Sequence, residues 1–183
     1  MNPPRRAASS SLVGLPPLSR PDASALVVGS MPGAASLAAQ QYYAHPRNAF
    51  WPVMGELFGA APSLEYPARV ARLLDARVAV WDVVRACRRD GSLDSAIERD
   101  SVEPNDFAAF VAAHRDLRLV VCNGGTARAF FLRYVLPHAD DAVRCLSIVQ
   151  APSTSPAHAS MTLRAKTAAW RAALRSVVEC ADT

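Results

Sequence analysis

The chain has 183 residues, of which 51% are hydrophobic and 20% charged, and its formal net charge is +4 at neutral pH. That length is about one domain's worth, and the apolar share is enough for a real core. No apolar run reaches the roughly 18–20 residues of a membrane span, and residues 1–17 carry Arg5 and Arg6 without a continuous apolar stretch, which argues against a transmembrane helix and a secretory signal.

In chain order, residues 1–13 read as a flexible arm and residues 14–183 as one domain, with residues 14–17 lying on its body. Four apolar, β-branched runs read as strands: Ala25–Gly29 and residues 78–84, 117–122 and 145–150. Helical segments separate them at residues 52–58, 67–74, 105–114 and 126–136. The third of these has Asn105 as its expected cap, Asp106 in its first turn, and Phe107, Phe110 and Val111 on one face. After a loop at residues 151–158, an amphipathic helix is expected over 161–178, with Leu163, Trp170, Leu174, Val177 and Val178 along its stripe. Alternating strands and helices predict an α/β fold: a three-layer αβα sandwich around a mostly parallel four-stranded sheet. Ligands in such folds bind beyond the carboxyl ends of the strands.

Cys87, Cys122, Cys145 and Cys180 are widely spaced and form no CxxC pair, so no metal site and no cofactor are expected. Cys122 and Cys145 sit in apolar runs and read as buried thiols. Reduced cysteines point to the cytoplasm. The excess of base is almost all Arg, Lys166 being the single lysine. A mildly basic chain suits a polyanion, but the same balance is as common on an ordinary solvated surface.

The densest stretch is residues 29–51, GSMPGAASLAAQQYYAHPRNAFW, read as a long loop without a clean period. Gly29 and Gly33 allow close backbone approach, Tyr42, Tyr43, Phe50 and Trp51 offer flat faces, and His45, Arg47 and Asn48 offer polar contacts. Four aromatics argue against disorder, and a connection this long is usually functional if it is ordered. On spacing alone, Asn48 is as much a cap for the following helix as a site residue. Asp82, at the end of the second strand, either bonds the turn after it or serves a site. Asn123-Gly124-Gly125-Thr126 reads as a tight strand–helix turn capped by Thr126. It lacks a P-loop lysine and the full dinucleotide fingerprint, so a nucleotide-binding reading rests on that turn alone. Arg85, Arg88 and Arg89 are either a binding face or solvated charges.

This stretch resembles motif 1 of the uracil-DNA glycosylase superfamily. Gly29, Pro32, Gly33, Tyr43, His45, Pro46, Asn48, Phe50 and Trp51 stand in the register of its Gly-x-x-Pro-Gly turn, stacking aromatic and His-Pro-x-Asn-x-Phe-Trp. The Gln-Tyr-Tyr-x-His-Pro-x-Asn pattern is similar to the DNA-deoxyinosine (hypoxanthine-DNA) glycosylase branch. The resemblance covers nearly all of the chain after about residue 14. It implies Asn48 as the catalytic residue, Tyr43 as the stacking aromatic, and a base pocket of Gly29, Ser30, Met31, Tyr43, Asp82 and Asn123. His45, Arg47, Ser153, Thr154, Ser155 and Pro156 would contact DNA, Ser155 and Pro156 where relatives insert a wedge. The four-Cys iron–sulfur pattern of some branches is missing.

Three positions depart from the uracil enzymes. Met31 replaces a catalytic Asn, and Ala151 replaces the His or Asn that precedes Pro-Ser in motif 2. Asp82 takes the place of an Asn that reads the base edge, and as a carboxylate it would accept from N1–H of hypoxanthine. The implied function is excision of a deaminated base, hypoxanthine first, from DNA without lyase action, metal or cofactor, by a monomer that does not bind membranes. The alternatives are excision of uracil or thymine from mismatches, and a non-catalytic lesion-binding member.

Overall fold

The computed structural model describes residues 11–181. Strand β1 (Ser11–Val13) pairs antiparallel with β4 (Val84–Arg88), which also pairs with β5 (Glu103–Pro104), forming a small three-stranded sheet. The main sheet has four strands in the order β3 (Val78–Asp82), β2 (Ala25–Gly29), β6 (Leu119–Asn123) and β7 (Ser147–Ala151), every pair of them parallel. β2 and β3 are buried at every position, as expected where helices cover both faces of a parallel sheet.

Eight α-helices surround the sheet among the described residues: α1 (Ala34–Ala39), α2 (Phe50–Phe58), α3 (Tyr66–Asp75), α4 (Phe107–Ala113), α5 (Gly125–Phe130), α6 (Asp141–Arg144), α7 (Leu163–Ala173) and α8 (Arg175–Ala181). α2 packs on α3, α7 and α8, while α4 packs on α6. Each group has its own aromatic cluster. Phe50 meets Trp51 and Trp170 edge-on, and Trp81 lies against Phe107 and Phe110. No helix among the described residues is long and apolar enough to cross a membrane.

Several expectations change in detail. The run at 78–84 is divided at Val83, so that β4 leaves the main sheet for the small one. Residues 1–10 of the expected arm lie outside the described residues, and Ser11–Val13 is strand β1. Leu15 is buried and Leu18 bridges to Val80, so this segment does lie on the body. Helix α4 is capped by Asp106, which accepts from Ala109 N, and not by Asn105. Asn105 instead donates to the backbone oxygen of Asp82. The long final helix is two helices broken at Leu174, and Leu163 is exposed. Cys145 is also exposed, because it ends α6 and precedes β7.

The strand register positions the site. Gly29 is opposite Asp82, Val28 is opposite Cys122, and Asn123 is opposite Ala151. The carboxyl ends of all four strands are therefore level, and the long connections after β2 and β7 emerge at one edge.

Candidate active site

A cavity of about 520 Å³ opens at this edge. Its walls come from the segment after β2, the end of β3, the turn at residues 92–95, the start of α5 and the loop after β7.

The segment after β2 is not structureless. Gly33 precedes α1, and Gln40 ends the helix in a left-handed conformation. Ser36 Oγ accepts from Ala44 N at 3.2 Å, folding the chain back. Tyr43 also adopts a left-handed backbone conformation, with φ of 55°. Its ring stacks on Phe50 at 3.9 Å between centroids. Its hydroxyl is buried without a hydrogen-bond partner. Burial and the nearby Asp82 raise its pKa. The Asn123 side chain opposes the shift but does not reach hydrogen-bond geometry with the hydroxyl. Tyr42, Phe50 and Trp51 are packing residues: Tyr42 donates to Leu15 O, and Trp51 Nε1 donates to Tyr42 O.

Asn48 stands one residue before the cap of α2, which is Ala49. Its Oδ1 accepts from Phe50 N at 2.9 Å, securing the entry to α2, and its side chain lines the cavity. A carboxamide oxygen has a second lone pair, which can accept from a water. His45 also lines the cavity, with Nδ1 accepting from Arg47 N. Arg47 is exposed and does not line the cavity.

Asp82 is at the cavity floor, 4% exposed, and its Oδ2 has no hydrogen-bond partner. Burial pushes its carboxyl up to about 8. The charge of Asp94 adds to the shift and Arg89 opposes it. No hydrogen bond joins Arg89 to Asp82: its guanidinium donates to Pro32 O at 2.6 Å and Gly91 O at 3.1 Å, and its Nη1 is buried without a partner. An unpaired buried carboxyl keeps its proton. At neutral pH Asp82 is therefore mainly a neutral acid, able to donate as well as accept. A carboxylate there, as the resemblance implies, would only accept.

Beyond Arg89, the sequence does not mark the turn at residues 90–95 as part of the site. Ser30 Oγ donates to Asp94 Oδ2 at 2.6 Å, and Ala34 N donates to Ser92 Oγ at 3.0 Å. Burial raises the pKa of Asp94, opposed by the Ser30 hydrogen bond, Arg89 and Arg99. The three arginines weighed as a binding face or as solvated charges do not share one setting. Arg89 is buried, Arg85 is paired with Glu103, and Arg88 is paired with Glu98.

Motif 2 is fixed by a reciprocal pair. Asn123 Nδ2 donates to Thr154 Oγ1, and Thr154 N donates to Asn123 Oδ1, both at 2.9 Å. Thr154 O accepts from Ala49 N at 2.9 Å, which ties the loop to the start of α2. Thr154 is 1% exposed and its polar groups are occupied, so it braces the loop and is not free for phosphate. Gly124 has φ of 94°, and a Cβ there would lie 2.7 Å from Ser153 Cβ. Thr126 caps nothing: Gly124 stands at the cap of α5, and Thr126 lines the cavity. From behind, Trp170 Nε1 donates to Pro152 O at 2.9 Å and Lys166 Nζ donates to His158 O at 2.7 Å. These two residues are one helical turn apart and hold both ends of the loop.

A family model described as the Uracil DNA glycosylase superfamily matches residues 16–175. The chain belongs to the uracil DNA glycosylase superfamily. It is similar to a protein named hypoxanthine DNA glycosylase from Methanosarcina barkeri, with 34% identity over 112 residues, which are 61% of this chain and 70% of the relative. A second protein of that name, from Methanosarcina acetivorans, is 34% identical over 115 residues, covering 62% and 72% of the two chains. A solution NMR structure from Methanosarcina acetivorans, described provisionally as a uracil DNA glycosylase, superposes with a TM-score of 0.74 and 27% identity. It covers 92% of this chain and 99% of that one.

Within this uracil DNA glycosylase superfamily member, Gly29, Ser30, Met31, Tyr43, Asn48, Asp82 and Asn123 are brought to one cavity, together with Ser153, Ser155 and Pro156. Asp94 and Leu93 join them from a turn about sixty residues away from motif 1 in sequence.

Proposed function

We propose that this DNA glycosylase hydrolyses the N-glycosidic bond of deoxyinosine in DNA, releasing hypoxanthine and leaving an abasic site. The observation that carries the reading is the presence, in one cavity, of the Asn48 carboxamide and the buried, unpartnered carboxyl of Asp82. The names of the two Methanosarcina relatives support hypoxanthine as the base.

Bond cleavage builds positive charge on the sugar and negative charge on the departing base. Asn48 holds a water beside the anomeric carbon through the lone pair not used by Phe50 N–H. A carboxamide is too weak a base to deprotonate that water first, so the base must begin to leave early. Hypoxanthine presents N1–H beside the O6 acceptor. A neutral carboxyl matches this edge twice, with C=O accepting from N1–H and O–H donating to O6, where the leaving charge collects. Tyr43, backed by Phe50, offers its free side to the extruded base, a contact worth ~1–3 kcal/mol. Ser153, Ser155, Pro156, His45 and Arg47 contact the DNA around it. One chain suffices, and water is the only co-reactant.

Uracil and thymine present a similar N–H and C=O edge, so the same floor would accept them. Met31 weighs against them, because a thioether cannot orient water as an Asn does there. The test is base release from oligonucleotides carrying deoxyinosine, deoxyuridine, or thymine opposite guanine. Fastest release of hypoxanthine is expected. Faster uracil or thymine release would reassign the base, and inosine-DNA binding without release of any base would make the protein a lesion binder.

A further inference from the structure

Asp94 has no part in the chemistry assigned to Asn48 and Asp82, yet it lines the same cavity. Gly29 faces Asp82 across the strands, and the next residue, Ser30, donates through Oγ to Asp94 Oδ2 at 2.6 Å. The two carboxyls therefore meet consecutive residues at the end of β2. That strand end is fixed, with Gly29 O accepting from Val83 N and Ser30 O from Val84 N. The turn that carries Asp94 is pinned as well. Ser92 accepts from Ala34 N, and Arg89 donates to Gly91 O and Pro32 O. Ser30 takes only Oδ2 of Asp94, and no side chain among the described residues bonds Oδ1.

The charge at this point is negative. The Ser30 hydrogen bond and the charges of Arg89 and Arg99 favour the ionised Asp94 carboxyl against its burial, and that charge is felt at Asp82, where it helps to hold the proton. Among the described residues no lysine or arginine lines the cavity, and Arg89 is buried outside the lining. A base that entered as an anion would meet a fixed like charge with no cation in the lining to offset it. Two like charges about 6–8 Å apart, at an effective dielectric constant of about 20, disfavour binding by more than about tenfold.

Deaminated bases differ in charge. Hypoxanthine and uracil are neutral at neutral pH. Xanthine, which forms from guanine, presents the same N1–H and O6 edge as hypoxanthine but loses its N3 proton near neutral pH. Asp82 reads only the shared edge, so its hydrogen bonds cannot tell the two purines apart. We propose that Asp94 is a specificity-determining residue, whose fixed negative charge bars xanthine as an anion and reserves the cavity for neutral bases. This rests on the reading of the protein as a base-excising glycosylase and deepens it. An opposing charge rejects the wrong base without needing any contact to the right one.

The distinguishing readout is the ratio of xanthine to hypoxanthine release, measured in single turnover at neutral pH on oligonucleotides carrying deoxyxanthosine or deoxyinosine. Asp94→Asn keeps an acceptor for Ser30 Oγ and the volume of the side chain but carries no charge, so a change in the ratio reads charge and not room. It is expected to raise the ratio by at least about tenfold. Asp94→Glu keeps the charge and should stay close to the wild-type ratio. A merely structural role would slow the release of both bases together. An unchanged ratio in Asp94→Asn, or an equal rise in Asp94→Glu, would overturn the proposal. A second measurement does not need chemistry: binding of DNA in which the two bases sit on 2′-fluorinated sugars that resist cleavage. Wild type should prefer hypoxanthine, and Asp94→Asn should narrow the preference by at least about tenfold. If wild type releases no base, the functional reading fails, and the binding comparison still decides the role of Asp94. Equal preference in wild type and Asp94→Asn overturns it.

Discussion

Gly29 and Asp82 face each other across β2 and β3, and the Asp82 carboxyl fills the space a side chain at position 29 would need. A Cβ at Gly29 would lie 2.2 Å from Asp82 Oδ1 and 3.5 Å from the Tyr43 hydroxyl. Gly29→Ala must therefore displace a fully buried carboxyl from the cavity floor. The expected result is a folded protein destabilised by about 1–3 kcal/mol, with hypoxanthine release slowed by more than about tenfold. Thermal melting and single-turnover assays measure the two effects separately.

Asp82 gives the protein a pH signature. Its carboxyl keeps its proton to about 8 when folded, against the ordinary value of 3.8. Between those values the folded state binds more protons than the unfolded one, so this group's contribution to stability falls as pH rises and levels off above about 8. In Asp82→Asn that decline disappears. The melting temperature of the variant relative to wild type should rise from about pH 5 to about pH 8. Wild-type base release should also fall as the acid ionises above about pH 8, with a flat profile in the variant. Parallel pH profiles for the two proteins would remove Asp82 from the chemistry.

Two substitutions separate the role proposed for Asn48 in base release from its bond to Phe50 N at the entry to α2. Asn48→Ala loses the bond to Phe50 N and should cost about 1 kcal/mol of stability along with most base release. Asn48→Asp retains a capping oxygen and should recover the stability. If Asn48→Ala keeps full activity, the catalytic assignment is wrong.

The Asn123–Thr154 pair should behave as one unit. Thr154→Val removes the acceptor for Asn123 Nδ2 in a buried setting, a loss of about 1–3 kcal/mol. With Asn123→Ala, the double variant should be less destabilised than the sum of the singles, by about 0.5–3 kcal/mol. A double-mutant cycle from denaturant melts tests this, and strict additivity would deny the coupling.

The sequence revealed the sheet more readily than the walls of the cavity. Ala25–Gly29 and the run beginning at Val78 announce buried parallel strands, because almost every residue is apolar. Helix α1 has no such mark. Its residues, AASLAA, are small and bury only Ser36, so they show no amphipathic period. The β4 strand was hidden because Val84 continues the apolar run of β3, and its partners β1 and β5 are three and two residues long. Asp94 escaped for a different reason. It sits in a polar turn of ordinary composition, and its partner Ser30 is 64 positions away, where no local pattern can connect them. Asn48 and Asp82 stand out through motif register, but the raised carboxyl of Asp82 comes from its burial, which only tertiary structure decides.

The single lysine of the chain is buried behind the motif 2 loop. Basic contacts to the sugar–phosphate chain therefore fall to arginine, whose guanidinium keeps its charge throughout the alkaline range. Across the pH span where Asp82 ionises, the counterions displaced on docking, and hence the slope of affinity against salt, should remain constant. Alkalinity would then slow turnover on a nucleic acid that stays bound.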